Sequence, residues 1–138
     1  MIGVTDDIAA CRAIRHAVFV VEQAVPEEEE WDGLDEGAIH LLARDAAGRP
    51  VGTARILLKG DMAKIGRVAV LREARGSGVG AGLMRAALAH LAGIGGVRRA
   101  TLGAQTHAIG FYERLGFVAH GPEYDDAGIP HRDMTIEF

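Results

Sequence analysis

Apolar residues recur along this chain at two spacings, every three to four positions and every second position, and the two alternate from one end to the other. Asp6 or Asp7 can cap a first helix, on which Ile8, Cys11, Ile14 or Arg15, and Val18 follow the helical period. Residues Ala38 to Ala43 read as a strand, Ala46 to Pro50 as a turn, and Val51 to Leu58 as the returning strand of a hairpin. A second turn at Lys59-Gly60-Asp61 leads into a strand from Ala63 to Val70. After a glycine-rich loop the spacing predicts a helix from about Gly78 to Leu91, with Val79, Leu83, Ala87, Leu88 and Leu91 on one face, stopped by Gly93 to Gly96. A short buried strand (Ala100 to Ala104) follows. A helix from Thr106 to Leu115 then carries Ala108, Phe111, Tyr112 and Leu115 on one face and ends at Gly116. Two short strands, Phe117 to Gly121 and Asp133 to Phe138, complete the pattern. Strand, helix and strand from Ala63 through Ala104 imply a parallel crossover, whereas the earlier hairpins are antiparallel. The fold class expected is mixed α/β, with antiparallel N-terminal strands, over one domain spanning residues 1–138.

Composition narrows the classes of function. The chain is 49% hydrophobic and 25% charged, which suits a folded domain rather than a disordered one. A net charge of −4 argues against a dedicated nucleic-acid binder. No apolar run is long enough for a membrane span, and Met1 to Asp7 lacks the pattern of a signal peptide. The single cysteine, Cys11, permits no internal disulfide, so a cytoplasmic location is expected. Charge is unevenly spread: Glu22 to Glu36 holds eight acids and no Lys or Arg, and Arg44 to Arg75 holds eight bases against three acids. Either these are two solvated surfaces, or an acidic mouth for a cation stands beside a basic lip for a polyanion. None of the six histidines has the spacing of a metal site.

Glycine is abundant, 19 of 138 residues, and its densest run is Arg75-Gly76-Ser77-Gly78-Val79-Gly80-Ala81-Gly82. It follows a strand and opens a helix, where backbone N–H groups and the positive helix end favour an anion such as a phosphate. A triphosphate loop would require Gly-Lys-Ser/Thr at its end, which is missing. A dinucleotide fingerprint is formally present as Gly76-x-Gly78-x-x-Ala81. However, Leu71 to Arg75 intervene before the first glycine, and no acid closes the next strand. Ser77 lies inside the loop without the spacing of a hydrolase elbow.

Two motifs agree on a third class. Arg75-x-x-Gly78-x-Gly80 after Val68-Ala69-Val70 resembles the acyl-CoA pyrophosphate loop of the GNAT N-acetyltransferase superfamily, and Phe111-Tyr112-Glu113-Arg114-Leu115-Gly116-Phe117 resembles its signature near the thioester. The segment from Arg12 to Gln23, with Asp32, Asp35, His40, Gly128-Ile129-Pro130-His131 and Met134, is similar to the ElaA/YjcF-like branch. The resemblance covers essentially the whole chain. It implies an acetyl-CoA site between two splayed parallel strands of a mixed sheet. There the backbone at Val68, Ala69 and Val70 would pair with the pantetheine, and Gly76, Ser77, Gly78, Val79, Gly80 and Ala81 would hold the pyrophosphate. Arg75 would stand at the loop start, Phe111 would pack on the pantetheine, and Gln105 could bond the cofactor or Tyr112.

Acyl transfer to an amine requires a neutral nucleophile, stabilisation of the developing oxyanion and a proton for the departing thiolate. Tyr112 takes the third role in the resembling family. Glu22, His40 and His131 are base or acceptor-side candidates, and an amine can also lose its proton through water, leaving no single base. The expected activity is direct transfer of an acetyl group from acetyl-CoA, without a metal, to a primary amine of a small molecule or peptide. The acidic stretch, if it lines the acceptor side, favours a cationic acceptor, so that neutralising Glu22 or Asp35 would raise the acceptor KM. A homodimer is plausible, paired through a sheet edge or the C-terminal strands. The alternatives are a non-catalytic acyl-CoA-binding sensor and a nucleotide-binding oxidoreductase.

Overall fold

Strands β2 (Ile39–Arg44), β3 (Pro50–Lys59) and β4 (Met62–Val70) form where the alternation predicts them, joined by turns in which Gly48 and Gly60 take positive φ. The computed structural model, which describes residues 1–138, extends them into a seven-stranded mixed sheet. It adds β1 (Ile2–Thr5), β5 (Arg99–Gln105), β6 (Val118–Asp126) and β7 (Ile129–Glu137), in the order β1-β2-β3-β4-β5-β7-β6. Only β4 and β5 run parallel. Period-two alternation sorts the side chains. Leu41, Ile56, Ile65, Leu102 and Met134 face one side, where helix α3 (Val79–Ala92) buries Leu83, Met84, Ala87 and Leu91 on them. The opposite face carries Arg55, Lys64, Gly103, Gln105 and His131, and helix α1 (Ile8–Arg15) covers only its β2–β4 end, over Leu42 and Ala69. No helix is long and apolar enough to cross a membrane.

Gly52 marks the closest approach of α3 to the sheet. A Cβ there would sit 2.9 Å from Leu83 Cδ1 and 3.0 Å from Val79 Cγ1. Gly52→Ala overpacks this contact and should cost about 1–3 kcal/mol, read as a lower midpoint in urea at unchanged slope.

Besides β1, which the pattern does not predict, four segments depart from it. The first helix, capped by Asp7 Oδ1 accepting from the Ala10 N–H, continues as a wider π-helical stretch from His16 to Glu22. The acidic run contains a one-turn helix, α2 (Glu27–Glu30). The predicted helix from Thr106 to Leu115 is a 3₁₀ turn (Thr106–Ala108) followed by α4 (Ile109–Glu113). It closes through Gly116 at φ 104°, with the N–H of Gly116 on the Glu113 carbonyl and that of Phe117 on Tyr112, a Schellman closure. Finally, β6 and β7 are longer than the apolar pattern indicates. Ala127 and Gly128 both take positive φ in a two-residue hairpin loop, a turn that Asn-Gly would have signalled and Ala-Gly does not.

Candidate active site

A bulge opens the sheet. Gly66 pairs with Arg55 and Ala69 with Thr53, one residue more on β4 than on β3, and Arg67 within the bulge takes φ 49°. Bulges bend the strand that carries them. The β4–β5 ladder is correspondingly short, only Met62 to Lys64 against Arg99 to Thr101, and from Ile65 onward the β5-facing edge of β4 has no strand partner. A cleft of about 440 Å³ fills the gap, walled by Ile65 to Val68, by Leu102, Gly103 and Gln105, by Tyr112 and by the π-helical stretch. A second cavity of about 290 Å³ adjoins it and shares Phe19, Gln23, Lys64, Arg67, Asp126 and His131.

The glycine loop lies beyond the C-terminal end of β4. Gly76 and Gly78 take φ 81° and 85°, and Gly78 caps α3 without a side chain. The backbone N–H groups from Gly76 to Ala81 donate to no protein acceptor, the first intrahelical bond being Gly82 N–H to Gly78 O. A row of free N–H groups at the positive end of a 14-residue helix is an anion cradle. Phe111 packs on it, 3.6 Å from where a Gly80 Cβ would be.

Residues 5–138 match the family model described as an acetyltransferase (GNAT) domain. The chain belongs to the GNAT acetyltransferase family. The acetyltransferase is 42% identical to the uncharacterized N-acetyltransferase YjcF of Bacillus subtilis over 88% of this chain and 86% of that protein. The crystal structure of Escherichia coli ElaA superposes with a TM-score of 0.85 at 33% identity, covering 98% of this chain and 99% of that one. An acyl-CoA N-acyltransferase from Pseudomonas aeruginosa does so with a TM-score of 0.84 at 33% identity, covering 98% and 96%. The protein is an acyltransferase of mixed α/β GNAT fold in the ElaA/YjcF-like branch, and the oxidoreductase and sensor alternatives give way to it.

The acetyltransferase brings some of the expected residues to the cleft and keeps others away. Tyr112 lines it, half-buried and edge-on between Phe111 and Phe117 at ring-centroid distances of 5.0 and 6.0 Å. Burial pushes its phenol up to about 12. Gln105 also lines it, donating to Gln23 Oε1 at 3.0 Å and accepting from His107 Nε2 at 2.7 Å, so its partners are these two and not Tyr112. His131 faces both cavities, opposite Gln105 in the ladder and stacked on Tyr124 at 5.9 Å. Its Nδ1 lies 2.7 Å from the Ile129 carbonyl. A carbonyl only accepts, so Nδ1 carries the hydrogen and the neutral ring keeps its lone pair on Nε2.

His40 is not at the acceptor side. It is 3% exposed, lines neither cavity, and donates through Nε2 to the Asp35 carbonyl at 2.9 Å. Glu22 lines neither cavity either. Its carboxylate accepts from Arg75 at 2.7 and 2.9 Å, and this bond holds its pKa below the usual range, unlike a base poised near neutrality. Arg75 is committed correspondingly, to Glu22 and to the Val70 carbonyl. Ser77 turns its hydroxyl to the Ala74 carbonyl, and of Val68, Ala69 and Val70 only Val68 lines the cleft. Sequence reasoning missed Tyr124, whose hydroxyl donates to Asp133 at 2.8 Å and whose packing leaves no room for a side chain at Gly103. The juxtaposition depends on the β5–β7–β6 register, so no local signal could have revealed it.

The acidic stretch is not an open mouth for a cation. Asp35 accepts from Arg12, Arg15 and Arg55, Glu30 from Arg15, and Asp32 from Arg55 and Arg67, at 2.7–3.2 Å. Arg15 is 1% exposed and Glu30 2%. Arg55 holds Asp32 down at about 2. Burial alone would raise Asp35, but its three arginines keep it well below the usual carboxylate range. Asp32 and Asp35 are therefore ionised, and both, like Glu30, are already taken up by arginines.

Proposed function

We propose that this acyltransferase uses acetyl-CoA and transfers the acetyl group directly to an amine. The free N–H groups of residues 76–81 carry this reading, because they sit at a helix start beside an unpaired strand edge and next to the cleft that holds Tyr112. The pyrophosphate would lie on those N–H groups, and the pantetheine amides along Val68 to Val70 as an added strand. Phe111 would pack against the pantetheine, and Gln105 would hold its end of the cleft through Gln23 and His107. Arg75 would brace the loop through Glu22 rather than meet a phosphate itself.

Bound acetyl-CoA supplies an acyl group activated as a thioester. Tyr112 donates the proton that the departing sulfur takes. His131 Nε2, its ring fixed by Ile129 and Tyr124, receives the proton that the amine gives up as its nitrogen bonds the acyl carbon. The two transfers leave the cleft with no net gain of protons, and exchange with solvent resets both groups.

Thermal unfolding tests the donor. At about 100 times its Kd, acetyl-CoA adds roughly 2.7 kcal/mol and should raise the midpoint by roughly 6–10 °C, with NADH and ATP as controls. No shift with acetyl-CoA, or a shift with NADH instead, would sink the reading.

A further inference from the structure

The smaller cavity has a charge pattern that bears on the acceptor, an inference that rests on the acyltransferase reading above. Four guanidinium groups (Arg12, Arg15, Arg55, Arg67) bind three carboxylates (Glu30, Asp32, Asp35), which leaves one positive charge in excess. Two of the four arginines line the cavity. Arg55 is 4% exposed, lines the cavity, and its Nε–H has no acceptor in the protein. Arg67 also lines the cavity and keeps about a quarter of its side chain exposed. Lys64, one strand position before Ile65, adds an ammonium that makes no ion pair and faces both cavities. Opposite charge appears at the exposed rim, where Glu29 and Asp126 are likewise unpaired, and of these Asp126 reaches the part shared with the cleft and His131.

The pattern is therefore dipolar. Arg55, Arg67 and Lys64 favour an anion, and Asp126, beside His131 in the part shared with the Tyr112 cleft, favours an amine. A pocket for polycations would keep its acids free, whereas here Glu30, Asp32 and Asp35 are consumed by arginines. We infer that the acceptor is a small amine that also carries an anionic group, a carboxylate or a phosphate, seated toward Lys64 and Arg67 with Arg55 behind them. Its amine is then presented between Asp126 and His131. A cavity of about 290 Å³ accommodates a molecule of amino-acid size, at the small end of ligand pockets, which run from roughly 300 Å³ upward.

The test is free-thiol release from acetyl-CoA with matched acceptors: each common amino acid against its amide, and O-phosphoethanolamine against ethanolamine. Amino-acid amides are the less basic amines, so a lead of leucine over leucinamide cannot come from a larger fraction of free base. The anionic member of at least one pair should be favoured about tenfold or more in kcat/KM. The amino acids and phosphoethanolamine separate the two anions. Lys64→Gln, a change at an exposed side chain, should bring the ratio within the favoured pair toward one. Neutral members that equal or exceed the anionic ones would overturn the inference, as would turnover with none of them. If acetyl-CoA still raises the unfolding midpoint in those cases, the acyltransferase reading stands and only the acceptor assignment falls. If acetyl-CoA gives no shift, both fall.

Discussion

Tyr112→Phe should lower kcat by roughly a hundredfold or more while leaving the KM for acetyl-CoA within about twofold, because a positioned proton donor is worth about 10²–10⁴ in rate. The substitution removes one oxygen and keeps the ring, so the edge-on contacts with Phe111 and Phe117 survive and the unfolding midpoint should stay near the wild-type value. No protein group bonds the hydroxyl, which leaves it free for the departing sulfur. With the phenol raised to about 12 by burial, the donor keeps its proton throughout the pH range in which enzymes are assayed. The wild-type rate should therefore show no loss assignable to Tyr112 below about pH 10. Steady-state kinetics of the two proteins decide the matter, and a variant with wild-type kcat would remove Tyr112 from the chemistry.

Asp35→Asn should cost about 3–5 kcal/mol of stability, because it removes a buried carboxylate that three guanidinium groups share and leaves part of their charge uncompensated, Arg15 keeping Glu30 and Arg55 keeping Asp32. For a chain of this size that is a fall of roughly 10–17 °C in midpoint. The pH dependence has a definite sign. Asp32 and Asp35 have folded-state pKa values below the ordinary carboxylate value, so their contribution is complete above about pH 4. It is lost as pH falls from there through the folded values, Asp32 at about 2 and Asp35 lower. The wild-type midpoint should drop steeply between about pH 4 and pH 2, and the drop should be shallower in Asp35→Asn. Calorimetry across that range measures both slopes, and parallel slopes would mean that Asp35 contributes nothing through its charge.

The same network separates what was readable in one dimension from what was not. The glycine loop and α3 were legible because a strand, a turn at positive φ and an amphipathic helix are each written within about fifteen residues. The β6–β7 hairpin was not, because Ala127 adopts a turn conformation that its residue type disfavours, and the strands beside it are charged on both faces at an exposed edge. His40 and His131 look alike as isolated histidines. The sheet register puts one beside Arg55 under α1 and the other beside Gln105 at the open cleft.

By itself, then, the sequence determined the mixed α/β fold, the family and the glycine-rich turn before α3. The fold and the turn depend on local backbone preference and hydrophobic period, whereas the family rests on the resemblance of the Arg75–Gly80 and Phe111–Phe117 motifs. Only the tertiary structure decided which charges meet. Eight acids in a stretch of fifteen residues look like an open negative surface, yet four of them close on arginines 15 to 53 positions away in the chain. Ion pairs form between whichever opposite charges folding brings within about 3 Å, and linear order does not encode that choice. The physical result is that Glu30, Asp32 and Asp35 are held by arginines where the local composition suggested an open acidic mouth.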